Sequence, residues 1–428
     1  MFEFANFLLF GLFAAGSISL LSVVSRKQSI RAWWSDEALL LGNWGIAYRE
    51  KLGRICFYAA LGLYEFAMLF CYSSVKCLAP ELMDSFLDVL SNGVAVLLAV
   101  KILLGTRYAG QSLLVSGILY FIARWVHFNA HYVWWIWLVF FILACKDVSI
   151  TLSMKILLAT GIPTFLLFLI LWAFRCIPDY SSNGRMAFGT VHPNVASGIL
   201  LGFLLAWLII KRRHLGWGDI AITGLYMVFC EIFPHSRTAF GAAAVLLVLL
   251  LIVKLLESRN RLRPAGRLFA GLLTTCVPLT CFLSFWLPVL FNDAASPLNP
   301  FVAKLNIALT GRIHLTALSM EYYPIKIAGQ MLDRMQADDL YLDNVYAYML
   351  YALGPVMLFL CCCLVMYAIY QYSRMGQWVI TCCFIAMVAY SFAENQVLRL
   401  QVAPLNLLLV GAVFALPAKR WLPDTQDA

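Results

Sequence analysis

The sequence predicts an all-α, polytopic integral membrane protein with about 12 to 14 transmembrane helices and a large outer loop. Two observations carry this prediction. Hydrophobic residues make up 63% of the 428 residues and charged residues only 12%, whereas about a quarter of the residues in soluble domains are charged. Apolar runs of about 18 residues, each long enough to cross a bilayer, recur along the whole chain. This composition excludes an ordinary soluble globule, and residues 1–428 are interpreted as a single transmembrane domain.

The predicted bundle consists of a series of apolar segments, counted back from the basic C-terminus. They lie near residues 3–24, 55–75, 85–104, 112–126, 132–145, 151–174, 195–210, 219–234, 238–256, 268–291, 344–370, 378–394 and 402–418. The first segment is interpreted as a retained span, because it lacks a basic start and a clear cleavage pattern.

The basic residues indicate the orientation of the bundle. Most of the 31 Lys and Arg residues fall in short loops on one side, including residues 211–213 and 259–267. By the positive-inside rule that side, with the C-terminus, is cytoplasmic, and residues 292–343 form a large extracytoplasmic loop. Because the net charge of +9 is spread through these loops, the expected partner is the lipid bilayer and no nucleic-acid binding is predicted.

Arg185 is the first of three basic positions on the predicted outer side. A turn-rich stretch, 178–184, precedes it, and Pro193 follows at a position that suits the first turn of a helix. The helix from Asn194 onward then points its free N–H groups toward the outer loop, where Arg185 and His192 reinforce an anion site. The alternative is a snorkelling arginine beside a polar helix cap.

Arg237 and Arg312 complete the basic group. Arg237 lies in a short hairpin between two apolar segments, which holds its charge close to the membrane. It either serves a site or forms an ion pair with Glu231 that fixes the hairpin. Arg312 lies in the segment 311–323, whose apolar residues recur near helical spacing. Three arginines on one face predict a site for an anionic, diphosphate head group.

Asp343 and Asn344 stand where the chain re-enters the membrane after the large loop. A carboxylate at this position caps a helix or acts as a catalytic base, and both interpretations of Asp343 remain open. His314 is the second candidate for the base. The sequence contains no Gly-rich phosphate loop, dinucleotide fingerprint or acidic metal cluster, so we expect no cofactor and no metal.

These elements together resemble the O-antigen polymerase/ligase family of bacterial surface-polysaccharide assembly. The resemblance covers roughly residues 175–410. Its matching positions are Gly184-Arg185, His192-Pro193-Asn194, Ser236-Arg237, Gly311-Arg312, Asp343-Asn344 with Tyr346, Gly354, and Glu394-Asn395.

The resemblance implies a C-type glycosyltransferase fold that acts without a metal on undecaprenyl-diphosphate-linked sugars. Donor and acceptor would be such lipid-linked oligosaccharides, used at the outer face of the bacterial cytoplasmic membrane. We assign catalytic roles to Arg185, Arg237, Arg312 and Asp343. The predicted substrate-binding residues are His192, Asn194, His314, Asn344 and Tyr346.

Asp343 decides between the branches of the family. Its ligases commonly have a histidine at the position that Asp343 matches, so the resemblance favours a polymerase. Such an enzyme would join repeat units of O-antigen, capsule or exopolysaccharide with inversion at the anomeric carbon, with a chain-length regulator as an optional partner. An O-antigen ligase, and a transporter or flippase of lipid-linked sugars, remain the alternatives.

Overall fold

The computed structural model describes residues 38–39, 45–181, 184–258, 270–332 and 342–414. In these parts the chain is mostly helical. The strands found there are two residues long each, β1 (Ala38–Leu39) and β2 (Arg107–Tyr108), paired antiparallel. Eight helices of the described residues are long and apolar enough to cross a membrane. The prediction of an all-α polytopic membrane protein is therefore confirmed.

The helices are numbered here in chain order. They are α1 (Ile46–Cys71), α2 (Pro80–Leu104), α3 (Gly110–Ala130), α4 (Val133–Ala144), α5 (Ile150–Ala173), α6 (Pro193–Lys211), α7 (Trp217–Ile232), α8 (Arg237–Ser258), α9 (Cys276–Asn292), α10 (Asn299–Ala308), α11 (Arg312–Tyr322), α12 (Val345–Tyr348), α13 (Pro355–Arg374), α14 (Trp378–Ser391) and α15 (Val410–Val413). The eight candidate spans are α1, α2, α3, α5, α6, α8, α13 and the stretch Ala270–Asn292 that contains α9.

Helix α14 lies at the centre of the bundle. All but two of its 14 residues are buried, and it packs against α6, α8, α9 and α13. Its sequence is apolar on every side, which is typical of a helix surrounded by protein. The chain leaves α14 through a turn in which the backbone N–H of Glu394 donates to Tyr390 O at 3.0 Å. Glu394 therefore lies at one end of the bundle, just after the central helix.

The predicted single span 344–370 is wrong, because the structure breaks it. The short α12 continues into a π-helix, Met349–Leu353, and α13 begins only at Pro355. Gly354 at the break has a φ of 90°, which glycine adopts readily, and Pro355 has no N–H with which to continue the π-helix. The freed carbonyl of Ala352 accepts from Gln330 N at 2.9 Å.

Two further boundaries differ from the prediction. The segment predicted at 402–418 does not begin as a spanning α-helix but as a buried 3₁₀-helix, Pro404–Leu409, followed by one turn of α15. Irregular backbone is tolerated at this depth because α4, α6 and α13 surround it. Helix α1 begins at Ile46, nine residues before the predicted span, so Arg49 and Arg54 lie on the helix and not in a loop. The predicted segment 3–24 lies outside the described residues.

The predicted outer loop, 292–343, contains two short helices before residue 333. Helix α11 matches the helix predicted over 311–323, and it packs against α9 and α10. Gly311, with a φ of 86°, lets the chain turn directly into α11. This turn places Arg312 at the first position of the helix, close to the end of α14.

Candidate functional site

Glu394 is the centre of a polar network at one end of the bundle. Its side chain is only 3% exposed. Its Oε1 atom accepts hydrogen bonds from Arg312 Nη2 and from Asn194 Nδ2, both at 2.7 Å. Its Oε2 atom accepts from Gln396 Nε2 at 3.3 Å. One carboxylate therefore holds together α6, α11 and the segment after α14.

Arg312 lies between two carboxylates. Besides the bond to Glu394, its Nε atom lies 3.4 Å from Asp343 Oδ2. The guanidinium is 9% exposed, while the Asp343 side chain is 34% exposed. A charge buried to this degree is stable only when it is paired, and Arg312 has a partner on each side. The arginine is thus fixed in position, and Asp343 keeps part of its surface accessible.

The two carboxyl groups titrate together. Burial raises the pKa of Glu394 to about 7, against the opposing effect of Arg312 and with a further upward contribution from Asp343. Burial likewise raises the pKa of Asp343, and Arg312 opposes this shift. Groups that interact this closely release their protons as a pair. Near neutral pH Glu394 is therefore close to its own pKa, next to a fixed cation.

Arg185 joins the network through Asn194. Its Nη2 atom donates to Asn194 Oδ1, and its Nε atom donates to Pro234 O at 2.9 Å. The Asn194 amide accepts from the arginine and donates to Glu394. The chain of contacts therefore runs Arg185–Asn194–Glu394–Arg312–Asp343. Four of these five residues were predicted as site residues, and the structure brings them together.

His192 caps helix α6. Its Nδ1 atom accepts from the backbone N–H of Asn194 at 3.1 Å, and Pro193 occupies the first turn as predicted. Burial lowers the pKa of His192, and the charges of Arg185 and Arg312 lower it further. A neutral imidazole is what this cap requires, because only the neutral ring can accept a hydrogen bond. His192 thus occupies one N–H of the helix end and adds no positive charge at neutral pH.

Arg237 is the first residue of α8. Its Nη1 atom donates to Ile307 O at 3.0 Å and to Ala308 O at 3.2 Å, so it caps the C-terminal end of α10. Among the described residues it forms no ion pair with Glu231, so that predicted alternative is wrong. The charges of Arg312 and Arg237 both act on the pKa of Arg185, after the larger effect of burial. Arg312 and Arg237 therefore both lie within electrostatic range of Arg185.

Asn344, and not Asp343, caps helix α12. Its Oδ1 atom accepts from the N–H groups of Tyr346 and Ala347 at 2.9 and 3.1 Å. Its Nδ2 atom donates to Ser284 Oγ and to Phe392 O, both at 2.9 Å. The interpretation of Asp343 as the helix cap is therefore wrong. The amide of Asn344 has used its bonding capacity internally, which leaves none for a substrate.

Tyr346 and His314 lie apart from the network. The Tyr346 side chain is buried, and its hydroxyl lies 2.9 Å from Thr280 Oγ1 inside the bundle. The His314 ring packs on Phe291 with a centroid distance of 5.4 Å. Residues two apart on a helix face different directions, so His314 points away from the side on which Arg312 meets Glu394. The structure does not bring these two predicted residues into the site.

Glu394 received no role from sequence reasoning, although it is one of the positions that carry the resemblance. The signal that could have found it is a carboxylate directly after the apolar run of α14, where a charge is costly without a partner. Among the described residues, no group of three or more His, Cys, Asp or Glu side chains is arranged to hold a metal ion.

In comparisons with known proteins, no family model, no curated protein and no solved structure matches the chain. The fold defines the class of protein as an all-α, multi-pass membrane protein with a buried ionic network at one end.

Proposed function

We propose that the chain is a polymerase that joins undecaprenyl-diphosphate-linked oligosaccharide repeat units by inverting glycosyl transfer. One observation carries the proposal: the continuous network from Arg185 through Asn194, Glu394 and Arg312 to Asp343. Arg185 and Arg312 supply fixed cations, Arg237 lies within electrostatic range, and Asp343 is a partly exposed carboxylate beside them. Glycosyl transfer from a lipid diphosphate requires cations that bind the diphosphate and a base that accepts the proton of the acceptor hydroxyl.

In the proposed reaction, an acceptor hydroxyl oxygen forms a bond to the anomeric carbon of the donor. The bond from that carbon to the diphosphate oxygen breaks, and its electron pair leaves with the polyprenyl diphosphate. The hydroxyl proton passes to Asp343. Negative charge grows on the leaving diphosphate, so fixed arginines stabilise the transition state more than the ground state. Guanidinium groups suit this role because their planar fork matches two phosphate oxygens.

Asp343 is supported as the base by three of its properties. It is not the cap of α12, its side chain is 34% exposed, and burial raises its pKa toward the working range of a general base. Glu394 is instead enclosed between Arg312 and Asn194, so we assign it the role of positioning the arginine. His314, the second candidate for the base, has less support because its ring packs on Phe291.

The proposed location is the outer face of the bacterial cytoplasmic membrane, with the C-terminus inside. The support is the distribution of basic residues in the sequence, which concentrates Lys and Arg in the loops opposite the network. Cysteine accessibility labelling of Glu321→Cys, on α11, and Arg213→Cys, in a basic loop, tests this orientation. Labelling of Glu321→Cys from the inside only would overturn it.

The polymerase proposal is tested with purified protein in lipid and its native undecaprenyl-diphosphate-linked repeat unit. Wild type is expected to give a ladder of multimers on a gel. Arg185→Ala, Arg312→Ala and Asp343→Asn are expected to lower turnover at least a hundredfold, while Arg374→Ala, an exposed arginine at the end of α13, keeps it. The assay includes His314→Ala: full activity in both Asp343→Asn and His314→Ala would reject the assignment of the base.

A well-folded wild-type protein that makes no ladder from a verified substrate would reject the polymerase. Transfer to an added lipid A core would then identify a ligase, and flux of the intact lipid-linked sugar across vesicles would identify a transporter.

A further inference from the structure

Arg399 has an aromatic enclosure of its own. Its guanidinium carbon lies 4.5 Å from the centroid of the Tyr72 ring and 6.0 Å from that of Trp134, and its side chain hydrogen bonds Tyr132. Cations over aromatic faces at such distances are attracted by the π-electrons. The Nε atom, however, is buried and has no hydrogen-bond partner. A buried N–H without an acceptor is costly, so the geometry leaves one strong donor unsatisfied.

The charge of Arg399 is also not neutralised. Within the part of the chain that the structure describes, no carboxylate forms an ion pair with it. Arg312, by contrast, has carboxylates on both sides. A guanidinium held by aromatic rings, with an unused donor and no anion beside it, has the properties of an anion-binding group.

The Arg399 enclosure adjoins the polar network. Tyr72 O accepts from the backbone N–H of Val191 at 3.0 Å, next to the residue that caps α6. The backbone of the Arg399 enclosure therefore contacts the backbone next to the cap of α6. Tyr390, on the central helix, lies within electrostatic range of Glu394, Arg312 and Arg399. Two separate basic centres thus occupy the same end of the bundle.

An apolar cavity lies among the segments that carry both centres. Its volume is about 90 Å³, and its lining includes Trp135, Tyr346, Leu398 and Ala403. Trp135 and Leu398 are the chain neighbours of Trp134 and Arg399. The rest of the lining is almost wholly hydrocarbon, so the interior next to these segments is apolar.

We infer that Arg399 and its aromatic enclosure bind the diphosphate of a second polyprenyl-diphosphate-linked molecule. This inference rests on the proposed function and identifies the acceptor site. Polymerisation brings together two lipid diphosphates, and their charge changes differently during the reaction. The donor diphosphate leaves and gains charge, which suits the arginines of the network. The acceptor diphosphate stays unchanged through the reaction, so it needs only a fixed cation, without a base or a proton relay.

The binding test needs no turnover. Farnesyl diphosphate is titrated into purified protein in nanodiscs, with empty nanodiscs subtracted, and binding is followed by calorimetry and by tryptophan fluorescence. Wild type is expected to bind two molecules. Arg399→Gln is expected to lose one of them together with the fluorescence change from Trp134, and Arg185→Ala is expected to lose the other. Farnesol is expected to bind at least tenfold more weakly than farnesyl diphosphate, because it lacks the anion.

Arg374→Gln is the matched control, since Arg374 also stacks on a tyrosine, with its guanidinium carbon 5.5 Å from the Tyr370 ring, but is exposed and belongs to neither basic centre. If Arg399→Gln misfolds by melting temperature, Arg399→Lys keeps the charge and is expected to retain the second molecule with weaker affinity. One bound molecule in wild type, or equal binding by Arg399→Gln and Arg374→Gln, would overturn the inference.

Kinetics separate this inference from the function on which it rests. Arg399→Gln is expected to raise KM for the acceptor at least tenfold and to leave KM for the donor unchanged. A wild-type ladder with an unchanged acceptor KM in Arg399→Gln would reject the acceptor site and leave the polymerase standing. Two farnesyl diphosphate sites without any ladder would reject the polymerase and leave the second anion site standing.

Discussion

Arg312 Nη2 and Glu394 Oε1 lie 2.7 Å apart, although 82 residues separate them in the sequence. Both side chains are buried, and Asp343 and Asn194 complete the surroundings of the pair. A buried ion pair adds little stability by itself, but the loss of one partner leaves an uncompensated charge. The pair therefore fixes the geometry of the site and makes it sensitive to single substitutions and to pH.

Arg312→Ala is expected to destabilise the protein more at pH 8 than at pH 6. At pH 8 the wild-type Glu394 is ionised and paired, because its pKa is about 7. The variant must bury that charge unpaired or bind a proton, so we expect a loss on the order of 3 kcal/mol. At pH 6 Glu394 is mostly protonated in both proteins, and the difference shrinks. Thermal unfolding at the two pH values, beside Arg374→Ala, measures this. Equal losses of stability at pH 6 and pH 8 would contradict the raised pKa of Glu394.

Glu394→Gln is expected to move the acid limb of the activity profile to lower pH. In wild type, kcat/KM should fall as pH drops through about 7, because Glu394 then takes up a proton and no longer pairs with Arg312 as a carboxylate. Without the neighbouring negative charge, Asp343 ionises more easily beside Arg312, so the limb should shift by about one pH unit or more. Glu231→Gln, an exposed carboxylate outside the network, should leave the limb in place. An unmoved limb in Glu394→Gln would show that the pair is not coupled.

Asn194→Asp is expected to damage activity more than Asn194→Ala. The amide accepts from Arg185 and donates to Glu394, and an aspartate can do only the first. It also places a second carboxylate next to Glu394, which raises the cost of ionising either group. We expect activity to fall at least tenfold further in Asn194→Asp than in Asn194→Ala, with the difference reduced at pH 6. Initial rates of ladder formation at two pH values provide the measurement, and the reverse order would exclude the amide bridge.

Gly354→Ala is expected to destabilise the break between the π-helix and α13. Gly354 has a φ of 90°, and a Cβ there would lie 2.2 Å from Ile327 O. Such a backbone conformation costs a residue with a Cβ about 1–3 kcal/mol, and the contact with Ile327 adds to this. Gly271→Ala is the control, because a Cβ there meets nothing within 4 Å. A melting temperature unchanged in Gly354→Ala, or lowered equally in both variants, would contradict this account of the break.

Hydropathy predicts the long helices that are able to span a membrane. It does not predict the structure of the segments that are buried among other helices. Long apolar helices such as α5 and α8 follow directly from hydropathy, because a bilayer requires about 20 apolar residues per crossing. The segment 404–413 is equally apolar but buried among other helices, where protein replaces lipid around it. Hydropathy does not distinguish these two environments. The break at Gly354 coincides with a Gly-Pro pair, a local signal that the length of the apolar run 344–370 outweighed in the prediction.

The site was predictable in its cations and only partly in its carboxylates. Arg237 and Arg312 are the first residues of helices, and Arg185 follows a turn-rich stretch shortly before α6, so the sequence signals at these positions are strong. Asp343 and Asn344 are neighbours that both suit a helix cap, and only the structure assigns the cap to Asn344. The role of Glu394 depends on partners 82 and 200 residues away. Contacts at such separations are set by packing, and one sequence contains no measure of it.

The position of Glu394 has a consequence for biosynthesis. A ribosome completes Asn194 and Arg312 long before it reaches the carboxylate that joins them. Until that late segment inserts, Arg312 lacks one of its two counter-ions, and Asn194 has no acceptor for its amide. A nascent chain that already carries Arg185, Arg237 and Arg312 therefore still lacks the network. Premature termination anywhere before residue 394 yields a protein without the network, however well its earlier helices have inserted.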